Sequence, residues 1–322
     1  MSFKVLTLKH MDACGHAYLK ENGVEVITST GNSEAEWIKE IADNQVDAIF
    51  CRVDKITRAM MDASANLKVI AKQGAGLDNI DLPYATEKKI RVVYSPAGNM
   101  NTVAEHATMM LLMCAQRYRH VDNQMRGGNF NVRYQLTGTH DLRGHTIGLI
   151  GAGRISQCFA GILVNGFGMK AIAYDPYITP DKLQVDIELR ETAEEIWREA
   201  DYVSIHLQSN DATRYSIGYE QFSMMKPTAS FLNLARGDLI VEEDLIRALK
   251  EGKIAGAALD VFEQEPLPMD HPFLTMENIV LTPHTGAATQ DSVERCTLTS
   301  CEGLVQVLTG NGDKVVFAGN QF

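Results

Sequence analysis

The chain has 322 residues, enough for about two domains that each bury a core. Hydrophobic residues at 45% and charged residues at 22% are ordinary for a globular protein and exclude a fibrous or low-complexity chain. A net charge of −11, with no lysine- or arginine-rich block, argues against a general nucleic-acid or anionic-membrane surface, so any anion site must be local.

The first eight residues read as a short strand, not a signal peptide. From there to about residue 98, short apolar strands alternate with amphipathic helices. Strands are expected at 4–8, 25–28, 48–51, 69–71 and 91–93, and helices at 14–22, 34–43, 58–63 and 83–89. That rhythm predicts an open parallel sheet with helices on both faces. The turn Lys72-Gln73-Gly74-Ala75-Gly76 follows the fourth strand and can aim backbone amides at an anion. Ser95–Asn99 is a turn cluster suited to a hinge. A long helix is expected over 101–119, with Thr102 or Asn101 near its cap in a capping-box pattern closed by Glu105. It is apolar around much of its circumference, so it should be buried on more than one side. Its most apolar stretch, 108–115, is too short to span a bilayer.

After a polar segment over 127–141 comes the most informative stretch, Thr146-Ile-Gly-Leu-Ile-Gly151-Ala-Gly153-Arg-Ile-Ser156. An apolar strand breaks into glycines, a helical pattern follows, and a second strand ends in Asp175. This is the unit that binds dinucleotides. Gly151 allows the sharp turn, Gly153 lets the backbone approach a pyrophosphate, and the helix amides face the phosphates. Asp175 stands where a carboxylate accepts from a ribose 2′-hydroxyl; no arginine is near it to receive a 2′-phosphate, which predicts NAD rather than NADP. The rhythm then continues with strands at 202–207, 230–234, 257–261 and 279–281, about six in this half, and helices at 193–199, 219–225 and 242–251. A last helix over 289–308 should cross back to cover the first domain, with Val315–Phe317 packing at the end.

Ligands of such sheets bind outside the carboxyl ends of the strands. Three successive strand ends deliver Arg236, then Glu263 and Glu265, then His284. Arginine pairs with a carboxylate through two parallel hydrogen bonds, histidine moves a proton near neutral pH, and an acid beside it stabilises the imidazolium. Together these are the parts needed to reduce a 2-oxo acid. His140 and His145 read as loop residues, His206 ends a strand beside the expected cofactor, and His106 lies within the long helix. The six cysteines, at 14, 51, 114, 158, 296 and 301, show no C-x-x-C and no histidine partner spacing. They read as buried apolar residues of a reducing, cytoplasmic compartment, with no metal site.

These residues, with Gly74–Asp81, Thr102–His106, Gly148–Ile155, Asn233–Gly237, Ala258–Pro266 and Thr282–Gly286, resemble the NAD-dependent D-2-hydroxyacid dehydrogenases over essentially the whole chain. The resemblance is strongest to the phosphoglycerate dehydrogenase branch, without the C-terminal regulatory domain many of those carry. It implies an α/β fold of two doubly wound parallel-sheet domains: a flavodoxin-like substrate domain over 1–98 and 288–322, and a Rossmann-type NAD-binding domain over 99–287. It implies catalysis by Arg236, Glu265 and His284. It places NAD against Gly151, Gly153, Arg154, Ile155, Asp175, Leu207, Leu234, Ala235, Arg236, Asp260, His284 and Gly286. Arg52, Lys72, Ala75 and Gly76, from the opposite domain, would join Arg236 on the substrate, with the two basic residues near a phosphate. It further suggests a homodimer built on the long helix and a cleft that closes over the nicotinamide. Two positions depart from the pattern: Ser156 stands for the third glycine or alanine, and Gln208 for a common proline. A hydroxypyruvate or glyoxylate reductase, and a cofactor-sensing corepressor, are the alternatives within the same resemblance.

Overall fold

The structure, a computed structural model, describes residues 2–312, 315 and 317–321. The chain divides into two compact units, Met1–Asn99 with Ala288–Phe322, and Met100–Ala287.

The first unit alternates β1 (Phe3–Thr7), α1 (Ala13–Glu21), β2 (Val24–Thr28), α2 (Glu34–Asn44), β3 (Ala48–Cys51), α3 (Arg58–Asp62), β4 (Val69–Lys72), α4 (Leu82–Glu87) and β5 (Arg91–Tyr94). The sheet order is β2-β1-β3-β4-β5, with every pair parallel. β3 and β4 are buried along their whole length because helices cover both faces, which is why they read as unbroken apolar runs. Asp12, Ser33, Thr57 and Asp81 cap the four helices through side chains that accept from backbone amides.

The second unit holds α5 (Met100–Ala115), α6 (Tyr118–Arg126), β6 (Thr146–Ile150), α7 (Arg154–Phe167), β7 (Lys170–Tyr174), β8 (Glu188–Leu189), α8 (Ala193–Glu199), β9 (Tyr202–Ile205), α9 (Tyr219–Met224), β10 (Ser230–Asn233), α10 (Glu242–Lys250), β11 (Gly256–Leu259) and β12 (Ile279–Leu281). The order is β12-β11-β10-β9-β6-β7-β8, again all parallel. The direction of winding reverses between β6 and β9, so a crevice opens there at the carboxyl edge. One apolar layer, including Trp197, Phe222 and Phe231, fills one face of the sheet; α5 and α7 cover the other with Met110, Leu111, Phe159 and Leu163. The last helix, α11 (Gln290–Leu308), capped by Thr289, returns to the first unit and packs on α1, β4 and β5.

Three expectations are corrected. The long helix stops at Ala115, because Arg117 takes a left-handed conformation (φ 49°) that interrupts the helical ladder; α6 then restarts with Arg119 donating to the carbonyls of Ile279 and Leu274. No glycine or proline marks this break, so periodicity alone runs through it. The capping box also fails: α5 begins at Met100, which leaves Asn101 and Thr102 inside the helix, Thr102 buried. The second sheet has a seventh strand, β8, whose two residues are too few to leave a pattern. Within the polar segment over 127–141, residues 130–134 form a 3-10 helix. Val316, within the expected Val315–Phe317 packing, lies outside the described residues, while the Phe317 ring meets Tyr94 edge-on at 6.3 Å.

Candidate active site

Parallel strands put all their carboxyl ends on one edge, so the residues following β6, β7, β9, β10, β11 and β12 share a rim. After β6, Gly151 has φ +95°, and a Cβ there would stand 2.8 Å from the His206 carbonyl oxygen. The turn is therefore closed to side chains by its positive φ and by the backbone that follows β9. At Gly153 the opposite holds: a Cβ would meet nothing within 4 Å. Open space thus stands in front of the α7 N-terminus, where no side chain among the described residues caps the first amides. An anion fits that cradle without displacing protein atoms. Arg154 is exposed and Ile155 half-buried beside it. Ser156 is fully buried, and its hydroxyl has no partner among the described residues, so the departure from a smaller residue leaves an unsatisfied polar group in the helix–strand contact.

Asp175, at the end of β7, accepts from the Ala152 amide at 2.9 Å and from the Tyr177 amide at 2.9 Å. Oδ2 holds the glycine turn and Oδ1 the turn after β7, and each oxygen keeps further acceptor capacity for a hydroxyl. His206 follows β9 with its ring turned towards Phe159 (6.0 Å between centroids) and the Ser204 hydroxyl (3.0 Å). Burial depresses its pKa from 6.5 to about 4, so this imidazole stays neutral near pH 7.

Glu265 and His284 leave neighbouring strands, and His284 Nδ1 lies 2.8 Å from Glu265 Oε2. The other carboxylate oxygen accepts from the Phe262 amide at 3.1 Å. Burial alone would raise the Glu265 pKa, but the hydrogen bond and charge of His284, the Phe262 amide and the Arg236 charge outweigh it and hold the carboxyl below the usual range. The neighbouring Glu263 is engaged elsewhere, accepting from the Tyr215 hydroxyl at 2.7 Å. Arg236, after β10, is drawn to this loop by Gly237. A Cβ on Gly237 would fall 1.9 Å from the Phe262 carbonyl carbon, so only glycine lets the β10 turn lie against the β11 turn. The Asn233 side chain donates to the Arg236 carbonyl at 2.8 Å and shapes that turn.

His284 itself has φ +54°, a conformation costly for a side-chain-bearing residue. The buried Asp260 holds it there. Its carboxylate accepts from the Thr282 hydroxyl (2.6 Å), the Thr285 amide (2.8 Å) and the Gly286 amide (2.8 Å), and its carbonyl accepts from the His284 amide at 2.7 Å. Nothing in the residue pattern showed Asp260 and Thr282 acting as this clamp. The rim thus combines an anion cradle, an acid with spare acceptor capacity and a carboxylate-bound imidazole, which suits proton movement beside a bound anionic cofactor. A separate cavity of about 240 Å³, lined by residues such as Arg117, His140 and Tyr202, touches Ser230, Gly256 and Ile279 at the opposite, amino ends of the strands, away from these groups.

Residues 108–286 match the model of the D-isomer specific 2-hydroxyacid dehydrogenase NAD-binding domain. The chain belongs to this family. Among similar proteins, the D-3-phosphoglycerate dehydrogenase of Methanocaldococcus jannaschii is 39% identical over 91% of this chain and 55% of that protein. The glyoxylate reductase of Thermofilum pendens is 39% identical over 86% of this chain and 82% of that one. The crystal structure of NAD+-bound 3-phosphoglycerate dehydrogenase from Entamoeba histolytica superposes with a TM-score of 0.83, at 26% identity and with full coverage of both chains. The chain spans about half the length of the phosphoglycerate dehydrogenases it matches. As a 2-hydroxyacid dehydrogenase family member, its second unit is an NAD-binding domain. Leu207, Leu234 and Ala235 are half-buried strand-end residues of that unit, packed on its apolar layers.

The remaining expected site residues lie in the first unit. The β3–β4 register sets Cys51 opposite Lys72, so Arg52 and Lys72 stand at one edge of adjacent strands. Gly74 (φ +124°) spends its amide on the Ser95 hydroxyl at 2.8 Å. The amides of Ala75 and Gly76 have no backbone partner among the described residues.

Proposed function

We propose that this protein is an NAD-dependent oxidoreductase acting on the CH–OH group of a 2-hydroxy acid. The observation that carries the reading is the 2.8 Å His284–Glu265 pair on the same strand-end rim as the open Gly153 cradle. NAD, when bound, supplies or accepts the hydride. Its pyrophosphate would lie on the amides that follow Gly153, and its ribose hydroxyls on Asp175; Arg154, Ile155, Leu207, Leu234, Ala235 and the turn to Gly286, held by Asp260, would line it. His284 gives its Nε2 proton to the oxygen of the 2-oxo group as C2 is reduced, and takes it back in the oxidative direction. Glu265 stabilises the imidazolium at Nδ1. Arg236 pairs with the substrate carboxylate. In the first unit, the amides of Ala75 and Gly76 suit a carboxylate, and Arg52 and Lys72 a second anionic group. That supports a phosphorylated acid such as 3-phosphoglycerate, with hydroxypyruvate or glyoxylate as the smaller alternative.

Buried cysteines at 51, 296 and 301, all free, fit the reducing cytoplasm. Among the described residues no helix is long and apolar enough to cross a membrane. A homodimer is the assembly we favour, because Tyr118, Met125, Phe130 and Tyr134 expose apolar surface within one short stretch.

The test is NADH oxidation with 3-phosphohydroxypyruvate, hydroxypyruvate, glyoxylate, pyruvate and branched 2-oxo acids. At least one should turn over, NADH should outperform NADPH, and His284→Ala should abolish turnover while NADH still binds. Silence across the whole panel would leave a cofactor-sensing binding protein as the better reading.

A further inference from the structure

His106 sits on α5, well separated in sequence from the proposed catalytic residues, yet its Nε2 is 3.0 Å from the Thr282 hydroxyl and 3.6 Å from Asp260 Oδ1. Counting protons sets the direction of this chain. Thr282 Oγ1 lies 2.6 Å from Asp260 Oδ1, and a carboxylate only accepts, so the hydroxyl hydrogen points at Asp260. The Met110 thioether, 3.6 Å away, is the weaker acceptor and loses that proton. Thr282 has no second hydrogen, so its oxygen accepts from His106, whose Nε2 carries the N–H. At 3.6 Å the direct contact to Asp260 is too long for a hydrogen bond, so the path runs through the hydroxyl.

The receiving carboxylate is the one that holds the turn on both sides of His284. Asp260 accepts from Thr282 before it and from the amides of Thr285 and Gly286 after it, while its carbonyl takes the His284 amide. His284 stays at φ +54° only while that turn is over-determined. We infer that His106 is a positioning residue, which fixes the direction of the His284 imidazole through Thr282 and Asp260. The inference rests on the proposed dehydrogenase reading for its kinetic consequence, not for its geometry.

His106→Phe keeps the ring volume and removes the N–H; His106→Gln puts an N–H at a similar reach. For the best substrate of the panel, His106→Phe should lower kcat about tenfold to a hundredfold, the range a small misplacement of a reacting group produces. KM for NADH should rise by less than kcat falls, since the α7 cradle is untouched, and His106→Gln should restore most of kcat. Thr282→Val, which also removes the hydroxyl's own bond to Asp260, should lose at least as much, and the double variant should be no worse than Thr282→Val alone, because His106 acts only through that hydroxyl. Wild-type kcat in His106→Phe, or equal losses in the Phe and Gln variants, would overturn the inference. If wild-type protein turns over no oxo acid, the dehydrogenase reading fails, and crystal structures of the variants still judge the geometry: a His284–Glu265 distance unchanged from 2.8 Å in His106→Phe sinks it. Should His106→Phe fail to fold, Thr282→Val carries both readouts.

Discussion

Arg236 and Lys are both cations, but only the guanidinium presents two parallel donors to a carboxylate. Under the proposed role, Arg236→Lys should therefore cut kcat/KM by about a hundredfold or more, equivalent to some 3 kcal/mol of transition-state binding. A loss under about tenfold in steady-state kinetics would take Arg236 away from the substrate. His206 shares the rim, with its ring against Phe159. Its folded-state pKa lies near 4, below the ordinary 6.5, so the unfolded chain takes up the proton first on acidification. The stability linked to it is complete above about pH 6.5 and is lost as pH falls towards 4. Melting temperature followed across that window should fall for the wild type, and His206→Gln should flatten the slope. A slope unchanged by the substitution would show that the imidazole is not held neutral. Glu265 has the carboxylate sign: its depressed pKa stabilises the fold above its ordinary range and ceases to do so at lower pH.

At the level of elements, the decisive contact is the approach of the turn after β10 to the turn after β11. Gly237 leaves no room for even a methyl group, with the Phe262 carbonyl carbon 1.9 Å from where a Cβ would stand. Gly237→Ala should push the two turns apart, separate Arg236 from Glu265, and destabilise the unit by about 1–3 kcal/mol, as overpacking usually does. Urea unfolding together with turnover checks this; wild-type behaviour in both would mean that the turns can slide. Helix α7 contributes in another way. Its amides are useful because no side chain caps them and because Gly153 keeps the approach clear. The break between α5 and α6 sends the chain into the stretch that bears the exposed aromatic residues Tyr118, Phe130 and Tyr134.

For the whole molecule, the proposed assembly makes a simple demand. A dimer built on that aromatic stretch should sediment at twice the 35.6 kDa chain mass, and the double variant Phe130→Ser with Tyr134→Ser should shift the equilibrium towards monomer by at least about tenfold in Kd, as losing anchor aromatics does at interfaces. Wild-type protein that stays monomeric at micromolar concentration would dispose of the dimer. The overall negative charge of the chain is consistent with a local, backbone-built anion cradle rather than a broad basic surface.

Much of this architecture could be read from local order in the chain. The eleven longer strands matched by apolar runs, the glycine turn of Gly151 and Gly153, and Asp175 after the next strand are features whose causes lie within a few residues of each other. Periodicity and turn chemistry encode such features directly. The rest depends on atoms far apart in sequence. Gly237 is required by Phe262, the inward turn of the His206 ring by Phe159, and the posture of His284 by Asp260, Thr282 and His106. The end of α5 at Ala115 also carries no local marker, since Arg117 adopts its left-handed conformation without glycine or proline. Residue types at strand ends could nominate Arg236, Glu265 and His284, but only packing across the sheet brings two of them to 2.8 Å and diverts Glu263 to Tyr215. Hydrogen-bond partners and steric clearance are properties of the folded chain, where the nearest atoms belong to other strands.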